Sequence, residues 1–298
     1  MPRVSIGLPV YNGENYLREA VDSILAQSFE DLELIISDNA STDGTEQICR
    51  EYAAKDRRIR YFRNSANVGA AKNFNRVVAL SSGQYFKWAA HDDILAKDYL
   101  LKCVETLDQD FSIALCFPMT KIIDAHGQFL RNYNTNLDTS SAKPEQRFRE
   151  LVLTTIGYFC FEIFGLMRTE ILKKTPLIAS YSASDKVLLA ELSLYGRFHE
   201  IPEYLFLRRI HPQQSTRAYD LRSRTVWFDP SKKGGIQFLM WRIFLEYCLS
   251  IKRAPLSWSK RARSYLTMEN WLCKNWKALA YDLIVAAERL TSNAKDKK

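Results

Sequence analysis

The sequence predicts an α/β protein in which helices cover a mostly parallel sheet. Two observations lead there: apolar strands alternate with amphipathic helices through the first 119 residues, and acidic or amide-rich turns follow the strands. With 298 residues, 47% of them hydrophobic and only 11 Gly and 9 Pro, a large core is available, which excludes disordered and fibrous classes.

Arg3 to Val10 reads as a buried strand. Tyr11-Asn12-Gly13 turns the chain into a helix with Leu17, Val21, Ile24 and Leu25 on one face. Leu32 to Ser37 is the second strand, ending at Asp38-Asn39-Ala40-Ser41, and Thr42-Asp43-Gly44 opens the next helix. Ile59 to Arg63 precedes Asn67-Val68-Gly69 and a helix carrying Phe74, Val77, Val78 and Leu80. Tyr85 to Ala89 runs into His91-Asp92-Asp93, followed by a helix with Tyr99, Leu100, Cys103, Val104 and Leu107, then a strand from Ile113 to Met119. In such sheets ligands gather at the carboxyl ends of the strands, where Asp38 and Asp92 both fall.

Beyond Lys121 the alternation stops. A hairpin is expected at Asp124 to Gly127, a surface loop from Asn132 to Gln146, a strand around Phe161 to Met167, a helix from Lys186 to Tyr195 and a strand from Tyr204 to Leu207. This half is expected to complete the sheet and build the second wall of a cleft. From Ile236 the pattern is helical, first with Phe238 to Tyr247 and then with Trp271 to Leu290, separated by Pro255. The expected division is a domain over 1–230, split into a nucleotide-binding half at 1–120 and an acceptor half at 121–230, followed by a helical extension over 231–298.

Six cysteines without a Cys-x-x-Cys pair read as reduced core thiols. No export signal and no apolar run of roughly 18 residues is visible. The expected location is the cytoplasm, with peripheral contact at the inner face of the membrane left open. A net charge of +8 suits an anionic partner without choosing among nucleotide, lipid and nucleic acid.

The acidic turn carries the chemistry. Hard oxygen ligands, one or two of them carboxylates, are what a divalent cation on a diphosphate needs, and Asp92-Asp93 supplies them; a turn and helix cap is the plainer reading of that dipeptide alone. Its context is more specific. Val4 to Asn12 with Pro9 and Tyr11, Ser37 to Thr45, Asn67-Val68-Gly69 and Asp92-Asp93 together resemble, in type, order and spacing, the inverting family 2 glycosyltransferases. The resemblance is strong over about the first 120 residues and thins to isolated matches as far as Arg217.

The resemblance implies a GT-A fold, a Rossmann-like nucleotide-binding sheet flanked by helices, with transfer of a sugar from a nucleotide diphosphate, expected to be UDP. Pro9, Tyr11 and Asp38 match the positions that hold the base, with the Asp38 carboxylate accepting from a uracil-type N–H. Lys72 matches a basic position near the nucleotide, though a surface lysine explains it equally. The family's run has a further acid two positions before Asp92, where this sequence has Ala90. His91 reads as a turn residue.

Asp185, opening a helix in Ser184-Asp185-Lys186, resembles the family's catalytic acid motif with Ser in place of a common Glu, and is the expected general base. His211 matches a late histidine that completes the metal site, leaving Asp92, Asp93 and His211 as the expected ligands of Mn²⁺ or Mg²⁺. Gln214 to Arg217 partly matches the Gln-x-x-Arg-Trp signature of processive polysaccharide synthases, but Ala218 replaces the Trp, so a single addition is expected. The acceptor would be a glycan or a lipid-linked sugar in cell-surface polysaccharide or glycolipid synthesis. No motif supports nucleic-acid binding.

Trp241, Trp258, Trp271 and Trp276 lie among Lys252, Arg253, Lys260, Arg261 and Arg263, so the C-terminal helices either pack as core with a basic face or lie on an anionic membrane. Two rival functions remain: a silent nucleotide-sugar-binding protein, and a sugar-phosphate nucleotidylyltransferase, which would need more glycine after the first strand than Gly7 and Gly13.

Overall fold

The structure is a computed structural model and describes residues 1–134, 137–154, 159–214, 221–233, 235 and 238–295. Among these, the strands form one sheet in the order β3-β2-β1-β4-β8-β6-β9-β5, with β7 paired to β6. β1 (Val4–Val10), β2 (Leu32–Asp38), β3 (Ile59–Arg63) and β4 (Tyr85–Trp88) run parallel. β1 and β2 are buried along their whole length because helices cover both faces of the sheet, which explains their near-continuous apolar sequence.

The crossover helices α1 (Leu17–Leu25), α2 (Thr45–Lys55) and α3 (Ala70–Ala79) join these strands, and α4 (Tyr99–Gln109) leads from β5 (Ile94–Leu95) to β6 (Ile113–Ile123). Leu17, Val21 and Ile24 of α1 and Leu100, Val104 and Leu107 of α4 pack on one face of the sheet. The other face carries Val77 and Val78 of α3 together with residues of the later helices.

Past β6 the observed elements differ from the expected ones. Phe161–Phe164 is a 3₁₀ turn entered through Cys160 in the left-handed region, and the strand itself is only β8 (Leu166–Arg168), antiparallel to both β4 and β6. Three apolar residues around Glu162 fit a buried turn as well as a strand, and periodicity does not separate the two. The expected strand from Tyr204 to Leu207 is the middle of the 13-residue β9 (Arg197–Arg209), whose charged residues hide its length. β9 runs parallel to β6 through several register shifts and pairs with β5 just after the acidic turn. β7 (Phe129–Tyr133) closes the expected hairpin, in which Asp124 Oδ1 accepts from the His126 and Gln128 N–H groups.

Part of the expected surface loop is α5 (Pro144–Leu153), which starts at a proline suited to a first helical turn. After the short α6 (Thr169–Leu172), α7 (Ser184–Tyr195) begins two residues before the sequence pattern suggests. Then follow α8 (Leu221–Phe228), α9 (Leu239–Arg253) and the 38-residue α10 (Trp258–Lys295). α9 is tied to α7 where buried Glu191 accepts from Ser250 Oγ (2.9 Å) and Arg253 Nε (2.9 Å). α10 is tied to α5 where Arg263 donates to Glu145 (3.0 Å). The C-terminal helices therefore pack on the later half of the chain. Among the described residues, no helix is long and apolar enough to cross a membrane.

Candidate active site

The carboxyl ends of β1, β2 and β4 open into a cleft of about 900 Å³ whose opposite wall comes from the end of β9 and from α8. That volume suits a nucleotide-sized ligand. Of the residues singled out from sequence, Pro9, Tyr11, Asp92, His91 and His211 line it. Asp38, Lys72, Asp93 and Asp185 do not.

Asp38 is fully buried. The β2–β3 register places it opposite Arg63, and its carboxylate accepts from Ser41 N–H (2.8 Å), Tyr61 Oη (3.0 Å) and the Arg63 guanidinium. The protein itself donates to both oxygens, and Asp38 is not among the residues that line the cleft. The next residue, Asn39, lines the cleft instead. Asn39 Oδ1 accepts from Val68 N–H (3.0 Å) and Asn64 Nδ2 (2.9 Å), and its Nδ2 donates to Asn67 Oδ1 (2.9 Å). Asn67 Oδ1 also accepts from Gly69 N–H (2.9 Å). Backbone donors thus fix the orientation of both amides. Asn67, another lining residue, is left with its NH₂ as a donor group.

The loops after β1 and β2 are laced together. Ser41 Oγ accepts from Asn12 N–H (2.9 Å), Asn12 Oδ1 from Thr42 N–H (2.8 Å), and Thr45 Oγ1 from Gly13 N–H (2.8 Å). Asn12 and Ala40 both adopt positive φ, strain that these bonds hold in place. Gly13 lets the acidic turn close in, since a Cβ there would lie 2.7 Å from the His91 ring.

The two acids of the turn diverge. Asp92 Oδ2 lies 2.9 Å from His211 Nε2, and Arg208 Nη1 stands 3.6 Å from its other oxygen. Asp93 accepts from Arg208 Nη1 (2.7 Å) through Oδ2 and from Arg209 N–H (3.0 Å) through Oδ1. Burial pushes the Asp92 carboxyl up, but the Arg208 charge, the His211 hydrogen bond and the neighbouring imidazoles hold it well below the usual carboxylate range. The pair shares one guanidinium and titrates together: with Asp92 ionised, burial and the adjacent charge push Asp93 up despite Arg208.

Arg209 fixes the turn from behind. Fully buried beneath the Tyr16 ring, it donates to Asp92 O (2.9 Å), to the carbonyls of Asp124 and Ala125 (3.3 Å each) and to Glu19.

These contacts decide which groups fit a cation. Among the described residues no cluster of three or more His, Cys, Asp and Glu forms a complete cage. Asp92 and His211 nevertheless face the cleft side by side, and His211 Nδ1 is buried without a hydrogen-bond partner among the described residues. One carboxylate and one imidazole, with diphosphate oxygens and water completing the shell, suit Mg²⁺ or Mn²⁺. Asp93 does not line the cleft, and Arg208 and a backbone N–H donate to its two oxygens.

Lys72 is exposed, and its charge acts on Asp229 rather than in the cleft. The cations the cleft does contain, Arg208 and Lys233, were not singled out from sequence. Arg208 stands three residues before His211, and that spacing was the available signal. Asp185 is the second residue of α7, with Oδ1 accepting from Lys186 N–H (2.9 Å). Burial pushes its carboxyl up, against the charges of Lys186 and Arg224. Arg224 belongs to α8, whose Val226 and Trp227 line the cleft. Residues 215–218, including Arg217 and Ala218, lie outside the described residues.

Residues 5–175, more than half of the chain, match glycosyl transferase family 2. The chain belongs to that family. An uncharacterized glycosyltransferase of Rickettsia felis is 38% identical over 133 residues, which is 44% of this chain and 21% of the relative. The chain therefore spans about a fifth of that relative's length. Among solved structures, S. aureus TarS 1–349 in complex with UDP superposes with a TM-score of 0.65 at 19% identity, covering 92% of this chain and 72% of that one. The mannosyltransferase PcManGT from Pyrobaculum calidifontis, in complex with GDP-Man and Mn²⁺, superposes at 0.55 and 16% identity, covering 100% and 88%. At such identities the likeness shows the fold, which is GT-A. Membership of family 2 removes the nucleotidylyltransferase reading.

Proposed function

We propose that this family 2 chain transfers a single sugar from a nucleotide-diphosphate sugar, a UDP-linked donor first, to an acceptor hydroxyl with inversion, in the synthesis of a cell-surface glycan or glycolipid. The observation that carries this reading is the meeting of Asp92 and His211, from distant segments, in the cleft that Pro9 and Tyr11 also line. TarS is described with UDP and PcManGT with GDP-Man and Mn²⁺, which supports a nucleotide-sugar donor and a divalent cation here.

Pro9 and Tyr11 offer flat apolar surface to the base, and the Asn67 amide offers it a donor. Asp92 and His211 hold the cation, which when bound supplies positive charge to the departing diphosphate. Arg208, fixed by Asp93, adds a permanent positive charge beside them. Asp185 takes the proton from the acceptor hydroxyl as that oxygen attacks the anomeric carbon in line. The C–O bond to the diphosphate breaks on the opposite face, so configuration inverts. A carboxyl raised by burial is closer to the operating pH and so a better base.

A second reading, a nucleotide-sugar binder without turnover, is favoured by the absence of Asp185 from the described lining of the cleft. Incubating the protein with UDP-sugars and Mn²⁺ and following UDP release separates the two. Turnover that Asp185→Asn abolishes supports transfer; binding without release in the wild-type chain supports the silent binder.

A further inference from the structure

We propose that the outer face of the α9–α10 pair lies on an anionic bilayer surface, holding the cleft at the membrane. The inference gives the acceptor of the proposed transfer a lipid-linked identity, and in that respect it rests on the preceding reading. α10 buries Ser264, Met268, Trp271 and Leu279 on one side, with Trp271 only 4% exposed. The opposite side is apolar too: Trp258 is 84% exposed, Trp276 60%, Leu266 56% and Leu283 51%. At about 1.5 Å of rise per residue this stripe extends over nearly 40 Å. Tyr265 Oη donates to Cys248 O (3.4 Å), bringing α9 alongside, and exposed Leu245 and Leu249 of α9 add to the apolar surface.

The charge of the pair selects the occupant. From Leu239 to Lys295 the sequence has ten Lys and Arg against four Asp and Glu, a net charge of +6, of which the pairing of Arg253 with Glu191 and of Arg263 with Glu145 leaves +4. Each exposed tryptophan has a cation over its ring, Arg261 at 5.7 Å from Trp258 and Lys277 at 5.8 Å from Trp276. Among the described side chains of α10, the exposed acids are Glu269 and Glu288. A second copy presenting the same face would be repelled by its charge, and a nucleic acid has no use for exposed Leu245, Leu266 and Leu283. Aromatic rings with flanking cations above an aliphatic stripe match the boundary between anionic headgroups and acyl chains. The helices are anchored to α5 and α7 in the half expected to receive the acceptor, so contact on this face brings that half nearest to lipid.

The test is co-sedimentation of the full chain with vesicles of phosphatidylcholine alone or with about one-third phosphatidylglycerol, at low and high salt. Binding at least tenfold stronger to the anionic vesicles is expected, weakening with salt. Trp276→Ser/Leu283→Ser should lose at least tenfold on anionic vesicles, and Lys274→Glu/Lys277→Glu should remove most of the preference for them. Both pairs are exposed, and an unchanged melting temperature and UDP affinity would show that fold and cleft are intact. Equal binding to both vesicle types, no loss in either variant, or a dimer that Trp276→Ser/Leu283→Ser dissolves without any vesicle binding would overturn the proposal. UDP calorimetry on the same samples reports separately on the donor site, so failure of the membrane face and failure of the transfer reading are distinguishable.

Discussion

Asp92 and Asp93 are adjacent in sequence and differ in what their carboxyl groups touch. Asp92 meets His211 in the cleft, while Asp93 neutralises Arg208 and accepts the Arg209 N–H. Asp93→Ala should therefore act first on stability, since it removes the nearer of the two carboxylates that face the buried Arg208 guanidinium, and breaking a buried pair costs up to about 3 kcal/mol. A urea midpoint unchanged from wild type would contradict that assignment. Asp185→Asn should lower turnover by about 10²-fold or more while nucleotide affinity holds within about twofold. Because burial raises the Asp185 carboxyl, and the base must be ionised, turnover should climb with pH through a value above that of an exposed aspartate; a rate with no such rise across the acidic range would exclude Asp185 as the base. At this scale Pro9, Tyr11, Asp92 and His211 were legible because motif order placed them in the cleft. The pairing of the Asp38 carboxylate with Arg63 was not legible, because it depends on the register of two parallel strands.

The alternation of strands and helices through β4 could be read from periodicity, since each parallel strand is an apolar run and each crossover helix an amphipathic one. Legibility failed where a polar sequence forms a strand, as in β9, and where a mostly apolar one forms a turn, as in Phe161–Phe164. Pairing partners decide those cases, and a partner's register is not written locally. At the entry to α3, Gly69 has φ +87 and a Cβ there would lie 2.5 Å from the Phe228 carbonyl oxygen of α8. Gly69→Ala should cost about 1–3 kcal/mol and loosen α8 against the cleft. Thermal melting and hydrogen exchange along α8 would detect this, and an unaltered melting temperature would argue that the loop relaxes freely.

Across the whole molecule, one sheet among the described residues carries the cleft wall of Pro9, Tyr11 and Asp92 at β1 to β4 and extends through β8, β6 and β9 to bring Arg208 and His211 back over Asp92. Lys87 lies fully buried in β4 at the centre of that sheet, donating to the Phe164 carbonyl, with the Tyr99 ring centroid 4.4 Å from its Nζ. Burial pushes its ammonium down to about 7. The folded value is thus below the unfolded one, so between about pH 7 and the ordinary lysine value near 10 the unfolded chain holds the extra proton and stability rises with pH. Lys87→Met should flatten that slope, by at most about 1.4 kcal/mol per pH unit, in urea melts from pH 6.5 to 9; parallel slopes for the two proteins would contradict it. The C-terminal helices were legible as helices, but which tryptophans are core was not: Trp271 packs inward and Trp276 outward on the same helix.

Under the proposed function the donor site is completed by a divalent cation on Asp92 and His211. Calorimetry of UDP binding with Mn²⁺ and with EDTA, in the wild-type chain and in Asp92→Ala, tests this most directly. At least tenfold tighter binding with Mn²⁺ is expected in the wild type, with that difference lost in the variant. Equal UDP affinity in Mn²⁺ and EDTA, or an Mn²⁺ effect that survives Asp92→Ala, would contradict it.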